Sequence, residues 1–386
     1  MSGIEQQYKK IRVLHVGAIG NGGGITTWTL GLLRLNSPEI QFDFVEFSKN
    51  CYTEEAEKFG ANVFVLPYKY PLFFRHMNQI KEIIVSGSYD VIHFHSDSPF
   101  GWMILKLAYQ SQIPVRIRHS HALPAPSTLV KKIPRTILSQ LDSHMTAKYA
   151  TILLAASESS GRITFKKYWF HPPRMVYCGI DIATYKTEHD PQKRLELLSH
   201  YNIDKEAIVI GNISRLVSGK NHHFLIRLFN ELAQKNPNYT LFLGGDGHLK
   251  TELELLIAKN RFKDRIIMPG HCVNPSLLLC NLFDVYCFPS LHEGLGLSLV
   301  EAVCGGLYGV CSDKIPTDLT SRFPTRIRAL SLDDSLEEWC NAIEFGVKNK
   351  ITPIQGINLI EESPFSNTNS MENLIYVYRH GLNRVP

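Results

Sequence analysis

Short apolar runs separated by amphipathic stretches recur along the first half of the chain. The runs are rich in β-branched and aromatic residues and predict strands at residues 11–16, 42–47, 63–66, 91–94, 115–117 and 152–155. The stretches between them, such as 26–35, 74–85 and 100–109, have the spacing and length of helices. Strands that alternate with helices predict a parallel sheet covered on both faces.

The pattern pauses around residues 177–190 and then begins again. The second array predicts strands at 208–213, 241–244, 266–268, 285–288 and 308–311, with helices at 222–234 and 249–259 among them. Two successive arrays of similar size predict an α/β protein with two Rossmann-like domains and a cleft between them.

We place the domains at residues 1–182 and 183–364, followed by a helix in the tail 365–386. The tail carries one apolar stripe at the helical spacing i, i+3, i+4 and i+7, formed by Met371, Leu374, Ile375 and Tyr378. Such a stripe must be buried, so we expect the tail helix to cross back to the first domain.

Composition narrows the class of protein. Of the 386 residues 44% are hydrophobic and 20% charged, the balance of a globular protein rather than a disordered one. Lys+Arg 41 against Asp+Glu 36 leaves a thinly spread +5, which suits anionic small molecules better than nucleic acid. No apolar run approaches the ~20 residues of a bilayer span, and the eight cysteines form no Cys-x-x-Cys pair. We therefore expect a cytoplasmic protein.

The strongest chemical signal is a strand, a glycine turn and a helix that carry Glu293 and Glu301. Gly294 and Gly296 let the backbone approach a ligand, and the helix start offers N–H groups. Carboxylates accept hydrogen bonds from sugar hydroxyls, so the pair suits a polyhydroxylated ligand. Two solvated carboxylates that interact with the helix dipole are the competing interpretation.

Two basic residues strengthen the first interpretation. Arg215 and Lys220 follow directly on the strand 208–213, at the edge where open α/β sheets bind ligands. Together they could hold a diphosphate, although either alone is more often an exposed loop residue. The glycines Gly22, Gly23 and Gly24 follow the first strand, but their spacing does not fit the dinucleotide fingerprint.

With these residues in place, the chain resembles a retaining glycosyltransferase of family four, which has the two-domain GT-B fold. The separation of Glu293 and Glu301 resembles that family's Glu-x7-Glu motif. The order of motifs also matches along nearly the whole chain: Gly22–Gly24, Asp90 to His95, Arg118 to His121, Ser157-Glu158, Gly179 to Asp181, Arg215 to Lys220, Gly244 to Gly247, Glu293 to Glu301 and Ser312-Asp313.

The resemblance implies roles for residues in both domains. Arg215 and Lys220 would contact the donor diphosphate, Glu301 the ribose and Glu293 the donor sugar. The remaining donor-binding residues that it implies are Gly22, Gly23, Gly24, Gly245, Gly294, Leu295, Gly296 and Leu297. The sequence departs from the family pattern at Thr26-Thr27, at Cys178 and at Asp318, which concerns the acceptor and some donor contacts.

The histidines are open to more than one interpretation. His93 and His95 lie at one strand end, and His119 and His121 follow another. A strand-end histidine is usually structural, satisfied by a backbone group. The resemblance instead implies that His121 faces the donor sugar, with His119 as the second choice. It places His95 on the acceptor or sugar side. We count His121 with Glu293, Arg215 and Lys220 as catalytic candidates.

The sequence predicts no metal and no cofactor besides the nucleotide sugar itself. It contains no Asp-x-Asp, the motif with which the other major transferase fold holds a cation on the diphosphate. Arg215, Lys220 and helix N-termini can neutralise the leaving group instead. Each His-x-His pair in strand register also lies on one face without a third carboxylate partner.

The resemblance implies transfer of a hexose or N-acetylhexosamine, with retention, from a UDP-sugar to a glycan or polyprenyl-linked acceptor in bacterial surface polysaccharide synthesis. A sugar-nucleotide epimerase and a non-catalytic scaffold subunit are the alternatives, and the intact set of Arg215, Lys220, Glu293 and Glu301 argues against both. Basic and apolar residues interleave at 129–138 and at 166–170. They indicate either light contact with the inner face of a membrane or an ordinary solvated helix face.

Overall fold

The computed structural model describes residues 10–19, 23–66, 73–95, 101–121, 135–165, 172–186 and 190–383; for 73–75 and 135–139 it describes the backbone only. The strands in chain order are β1 (Ile11–Val16), β2 (Ile40–Glu46), β3 (Val63–Val65), β4 (Val91–Phe94), β5 (Val115–Ser120), β6 (Ile152–Ala155), β7 (Arg174–Met175), β8 (Ile208–Ile213), β9 (Tyr239–Gly244), β10 (Ile266–Gly270), β11 (Val285–Phe288), β12 (Gly309–Ser312) and β13 (Ile327–Leu330).

The helices alternate with these strands. They are α1 (Gly24–Arg34), α2 (Cys51–Lys58), α3 (Phe73–Gly87), α4 (Trp102–Gln110), α5 (Arg135–Tyr149), α6 (Glu158–Thr164), α7 (Pro191–His200), α8 (His222–Lys235), α9 (Lys250–Ala258), α10 (Pro275–Asn281), α11 (Leu297–Cys304), α12 (Thr317–Thr320), α13 (Leu336–Lys348), α14 (Pro353–Glu361) and α15 (Asn367–Leu382). None of the helices within the described ranges is both long enough and apolar enough to cross a bilayer.

The chain divides into two compact units. The first consists of Met1–Gly179 together with Asn367–Pro386, and the second of Ile180–Ser366. Among the described residues, the first unit holds a parallel sheet in the order β3-β2-β1-β4-β5-β6-β7, and the second a parallel sheet in the order β10-β9-β8-β11-β12-β13. The α/β class and the two Rossmann-like sheets are therefore confirmed.

The helix α15 belongs to the core of the first unit. Its Met371, Leu374 and Tyr378 are buried, while Ile375 is only partly so. The indole Nε1 of Trp28 in α1 donates to Ser370 Oγ at 2.8 Å, and Ser370 Oγ donates to the carbonyl of Tyr177 at 2.8 Å. The apolar stripe is thus covered by the first unit, and a polar link fixes the helix beside α1.

The predicted strands recur with small shifts at their ends. The strand β5 continues through Ser120, so His119 lies inside it rather than after it, and His93 likewise lies inside β4. The extension follows from pairing, because His119 lies opposite Leu154 and Ser120 opposite Ala155 of β6. The end of a strand is therefore set by hydrogen-bonded pairing with a neighbouring strand, which local propensity does not predict.

Candidate functional site

In the second unit, the loops that follow β8 and β11 form one connected surface. These strands are neighbours in a parallel sheet, so their carboxyl ends share one edge. The N–H of Leu291 donates to the carbonyl of Gly219 at 2.8 Å, and Asn221 Nδ2 donates to the carbonyl of Pro289 at 3.2 Å. The loop that carries Lys220 is therefore held against the loop that carries Glu293.

Lys220 and Glu293 form an ion pair across these two loops. Lys220 Nζ lies 2.5 Å from Glu293 Oε1, with the side chains 17% and 12% exposed. The same ammonium lies 4.8 Å from the centroid of the Phe288 ring, at the end of β11. Both charges are thus held at the sheet edge in a partly desolvated place, where they interact strongly with an incoming anion or polar sugar.

Arg215 lies on the same edge with an exposed side chain. Its loop is fixed by the loop after β9, since Leu216 donates its N–H to the carbonyl of Asp246 at 2.8 Å. Gly245 has φ +140°, and a Cβ on it would lie 1.9 Å from the carbonyl oxygen of Ser214. Only glycine allows these backbones to approach so closely, which fixes the backbone that carries Arg215 beside the loop of Gly245.

The glycine turn before α11 forms as the sequence predicts. Gly296 has φ +92°, in the left-handed region that favours glycine, and is the residue before the first turn. No side chain caps this helix, and the N–H of Leu299 donates to the carbonyl of Gly296 at 2.9 Å, so the N–H groups of Leu297 and Ser298 are the first-turn donors that a ligand could use. Leu297 begins the helix, and Leu295 packs in the core at 5% exposure.

Glu301 lies in the second turn of α11. Burial raises the pKa of its carboxyl to about 7, so protonated and ionised forms coexist near neutral pH. Its charge also acts on the phenols of Tyr185 and Tyr286, whose pKa values are raised mainly by burial. A carboxyl that both donates and accepts hydrogen bonds is suited to a pair of vicinal hydroxyls.

In the first unit, the chain that enters the glycine loop is held by Glu46 at the end of β2. Glu46 Oε1 accepts the backbone N–H groups of Ala18 and Ile19, each at 2.7 Å. Burial raises the pKa of Glu46 to about 7, against the opposing effect of these bonds. Gly23 has φ +87° and precedes α1, which starts at Gly24. Glu46 is a positioning residue that the sequence pattern gives no sign of.

Buried histidines from β1, β4 and β5 form a cluster of stacked rings in the described part of the first unit. One hydrogen-bonded row links His15 Nδ1 to His95 Nε2 at 2.7 Å, His95 Nδ1 to His121 Nε2 at 2.8 Å, and His121 Nδ1 to Cys178 Sγ at 3.3 Å. In this row only His15 Nε2 has no partner among the described residues. The row ends at the sheet edge with His121.

A second row runs beside the first. Tyr378 of α15 lies 2.7 Å from His93 Nδ1, His93 Nε2 lies 3.1 Å from His119 Nδ1, and His119 Nε2 lies 3.1 Å from the carbonyl of Val176. A carbonyl only accepts, so His119 carries its proton on Nε2, His93 donates through Nε2, and the Tyr378 hydroxyl donates to His93. Every member of this row is therefore satisfied as a neutral imidazole.

Burial lowers the pKa of each histidine in the cluster, with charge repulsion from neighbouring rings as a lesser cause for most of them. The pKa values of His15 and His121 fall to about 3. Those of His93, His95 and His119 fall well below the ordinary value. All five rings are thus neutral at physiological pH.

The structure groups the predicted site residues into two sets. In the second unit Arg215, Lys220, Gly245 and the loop from Glu293 to Gly296 lie at one sheet edge, and Glu301 lies in the helix α11 that follows this loop. In the first unit His95, His119 and His121 lie together, and Gly23 and Gly24 begin α1. Gly22 lies outside the described residues, as do most of the two basic stretches; for residues 135–138 only the backbone is described.

Several contributors escape sequence analysis. Phe288, Tyr286 and Tyr185 surround the charged groups of the second unit. Phe288 and Tyr286 read only as apolar members of a buried strand. Their position in the carboxyl half of a strand that ends directly before Pro289 is the one signal that could have singled them out.

Comparison with known proteins gives a family match for each half of the chain. Residues 194–317 match the family described as glycosyl transferases group 1, and residues 23–184 match glycosyltransferase family 4. The Bacillus subtilis protein EpsF, which is classed by name among the glycosyltransferases, is 30% identical over 342 residues, with 86% of each chain covered.

A more distant relative is the Escherichia coli UDP-Gal:alpha-D-GlcNAc-diphosphoundecaprenol alpha-1,3-galactosyltransferase. It is 22% identical over 327 residues, with 80% of this chain and 81% of the relative covered. The solved structure of Anabaena HepE in complex with UDP-glucose aligns with a TM-score of 0.78 at 17% identity, covering 96% of this chain and 100% of HepE. Together with the two parallel sheets, these matches show that the chain belongs to the family 4 glycosyltransferases and has their GT-B fold.

Proposed function

We propose that this glycosyltransferase moves a hexose or N-acetylhexosamine from a UDP-sugar to a glycan or polyprenyl-linked acceptor in the synthesis of a bacterial surface polysaccharide. The observation that carries the proposal is the Lys220–Glu293 pair, held with Arg215 at one sheet edge beside an uncapped helix start. The names of the relatives support the substrate class, since one uses a UDP-sugar with a lipid-linked acceptor and another structure contains UDP-glucose.

The diphosphate would bind where positive charge collects. Arg215 offers a fork of donors from an exposed loop, and Lys220 offers a point charge. Lys220 is already paired with Glu293, so a phosphate oxygen would compete with that carboxylate for the ammonium. The first-turn N–H groups of α11 add fixed dipoles, and together these groups stabilise the charge that develops on the leaving diphosphate.

Glu301 and Glu293 would then have different roles in binding and catalysis. Glu301, part protonated near neutral pH, would exchange hydrogen bonds with the ribose hydroxyls. Glu293, in the loop before the glycine turn, would lie near the anomeric carbon once Lys220 turns to phosphate. There it offsets the positive charge of an oxocarbenium-like state while the acceptor hydroxyl attacks from the face that the diphosphate leaves. This order of events gives retention without a glycosyl-enzyme intermediate.

A sugar contact by His121 stays a prediction of the resemblance. Both of its ring nitrogens have partners in the first unit, His95 and Cys178. A contact with the donor would require one of these hydrogen bonds to break.

The diphosphate assignment is tested by the affinity for UDP. We expect Arg215→Ala and Lys220→Ala each to weaken UDP binding about 10- to 100-fold, because each removes a charge-assisted contact of about 1.5–3 kcal/mol. Isothermal titration calorimetry measures the change. Lys205→Ala, which removes an exposed lysine of the same unit, is the matched control and should bind as wild type. Unchanged affinity in both site variants would refute the assignment.

Turnover should not depend on Mg²⁺ or Mn²⁺. The cationic groups already held at the sheet edge can serve the leaving diphosphate, so its departure needs no added cation. Transfer is measured with chelator-treated enzyme, before and after each cation is restored. Activity that is lost with the chelator and regained with Mg²⁺ or Mn²⁺ would contradict this prediction.

We also propose that the enzyme works in the cytoplasm, at the inner face of the membrane. The support is the sequence pattern of basic, apolar and aromatic residues at 129–138 and 166–170 together with the lipid-linked acceptor in the name of a relative.

A further inference from the structure

We propose that His95, His119 and His121 of the first unit bind one Zn²⁺ ion. One ring nitrogen from each of the three lies within 4.8 Å of one from each of the others. His95 Nδ1 and His121 Nε2 are only 2.8 Å apart. His119 lies in β5, and His95 and His121 directly follow β4 and β5, whose parallel pairing brings the side chains to the same sheet edge. The inference is independent of the proposed function.

The outer nitrogen of each ring already has a partner. His119 Nε2 donates to the carbonyl of Val176, His121 Nδ1 lies 3.3 Å from Cys178 Sγ, and His95 Nε2 lies 2.7 Å from His15 Nδ1. A histidine that binds a metal ion nearly always uses its other nitrogen in this way, which fixes the tautomer and orients the ring. The nitrogens left to face an ion are His95 Nδ1, His119 Nδ1 and His121 Nε2.

A neighbouring set of His15, His93 and His95 also has nitrogens within 4.8 Å of one another, but it is less complete. Its closest pair is His15 Nδ1 and His95 Nε2. In that set the ligand His15 has no outer hydrogen-bond partner among the described residues, whereas each ligand of the first set has one. Outer partners orient the ligand rings and fix their tautomers, so the set with three of them is favoured.

The chemistry of the ligands selects the metal. Three neutral imidazoles without a carboxylate suit Zn²⁺ and not Mg²⁺, which prefers oxygen ligands. Three protein ligands leave the fourth tetrahedral position for water. The indole of Trp28 lies 5.6–6.0 Å from the three ring centroids and supplies an apolar shell. His121 at 7% exposure, against 3% for His95 and 0% for His119, marks the side from which an ion enters.

Occupation requires a small movement between His95 and His121. Tetrahedral Zn²⁺ with bonds of about 2.0–2.1 Å places its nitrogens about 3.3 Å apart. His95 Nδ1 and His121 Nε2 would therefore separate by about half an ångström, and the ion would replace the proton that these two atoms share. His93 would give up its bond to His119 Nδ1. The ion would join the carboxyl ends of two strands that hydrogen bonds alone now connect.

The test is a titration of tag-free, full-length protein with Co²⁺ as a spectroscopic substitute for Zn²⁺. We expect one equivalent of Co²⁺ to give the visible bands of a four-coordinate site, and Zn²⁺ to abolish them by displacement. His121→Gln should lose the bands, whereas His93→Gln, the matched control from the neighbouring set, should keep them. Cys178→Ala, which removes an outer partner, should weaken binding about 10- to 100-fold.

Far-UV circular dichroism and melting curves show which variants fold. If a variant does not fold, the titration of wild-type protein still decides the proposal. Absence of the visible bands in wild-type protein would overturn it, leaving the cluster as a hydrogen-bonded network. The choice of ligands would be overturned if folded His93→Gln lost the bands and His121→Gln kept them.

Discussion

Glu293→Gln should lower kcat about 10²- to 10³-fold in a protein that still folds, because a contact felt mainly in the transition state is removed. The same change frees Lys220 from its 2.5 Å ion pair, so a phosphate no longer competes with a carboxylate for the ammonium. Affinity for UDP should therefore stay the same or become tighter while turnover falls. Steady-state kinetics and UDP titration on one preparation measure both effects.

Glu301→Gln is the matched control for this prediction, since it neutralises the other carboxylate of the motif. It should raise the KM for the donor more than it lowers kcat, because ribose contacts are felt in the ground state as well. If the two glutamates only stabilise the start of α11, both variants will lose about 0.3–1 kcal/mol of stability and keep near-normal kinetics. Near wild-type kcat in folded Glu293→Gln would show that the residue is structural.

Asp142→Ala should cause the largest loss of stability that we predict. Arg118 in β5, 1% exposed, places Nη1 2.6 Å from Asp142 Oδ2 and 2.6 Å from Thr146 Oγ1 in α5. Removing the carboxylate breaks this ion pair at a buried guanidinium, and breaking a buried pair by removing one partner costs about 3–5 kcal/mol. For a unit of this size that corresponds to a fall of roughly 6–20 °C in the melting temperature of the first unit.

Glu158→Ala is the comparison for the Asp142 prediction. It removes an ion pair with Arg162 in which both partners are about half exposed, and such pairs contribute about 0–1 kcal/mol. Differential scanning calorimetry should therefore show a change of no more than a few degrees for Glu158→Ala. An equally small change for Asp142→Ala would mean that the buried pair does not hold β5 to α5.

The fold could be predicted because local patterns of apolar residues in the sequence indicate most of its strands. The apolar runs at 11–16, 91–94, 152–155, 208–213 and 285–288 are strands with those same bounds. Each has buried residues on both faces, so hydrophobicity and β-propensity agree. The strands whose ends shifted, such as β5 and β9, extend along a neighbour's ladder, and pairing of that kind leaves no local signal.

The site was predictable where one short segment carries the chemistry. The glycine turn with Gly296 at φ +92° and the helix that bears Glu301 follow from adjacent residues. The Lys220–Glu293 contact joins positions 73 residues apart, and the bond between His93 and Tyr378 joins positions 285 apart. Sequence spacing alone cannot fix such pairs, because they depend on which strands become neighbours.

The histidines show the same limit most clearly. In the sequence, each His-x-His pair lies in strand register without a third carboxylate partner. The sheet order β1-β4-β5 then supplies partners from adjacent strands, since His15 lies opposite His93 and His93 opposite Ile117. A cluster of rings therefore arises from sheet order and register, neither of which the alternation within a single strand encodes.

The central claim is that the second unit binds a UDP-sugar through Arg215, Lys220 and the helix start. It is tested most directly by melting temperatures in the presence of UDP-, GDP-, ADP- and CMP-sugars at equal concentrations, for wild type and Lys220→Ala. A ligand at 100 times its Kd that binds only the folded state adds about 2.7 kcal/mol of stability. We predict that a UDP-sugar raises the melting temperature of wild type by several degrees and that of Lys220→Ala much less. Equal shifts in the two proteins, or no shift with any UDP-sugar, would contradict the claim.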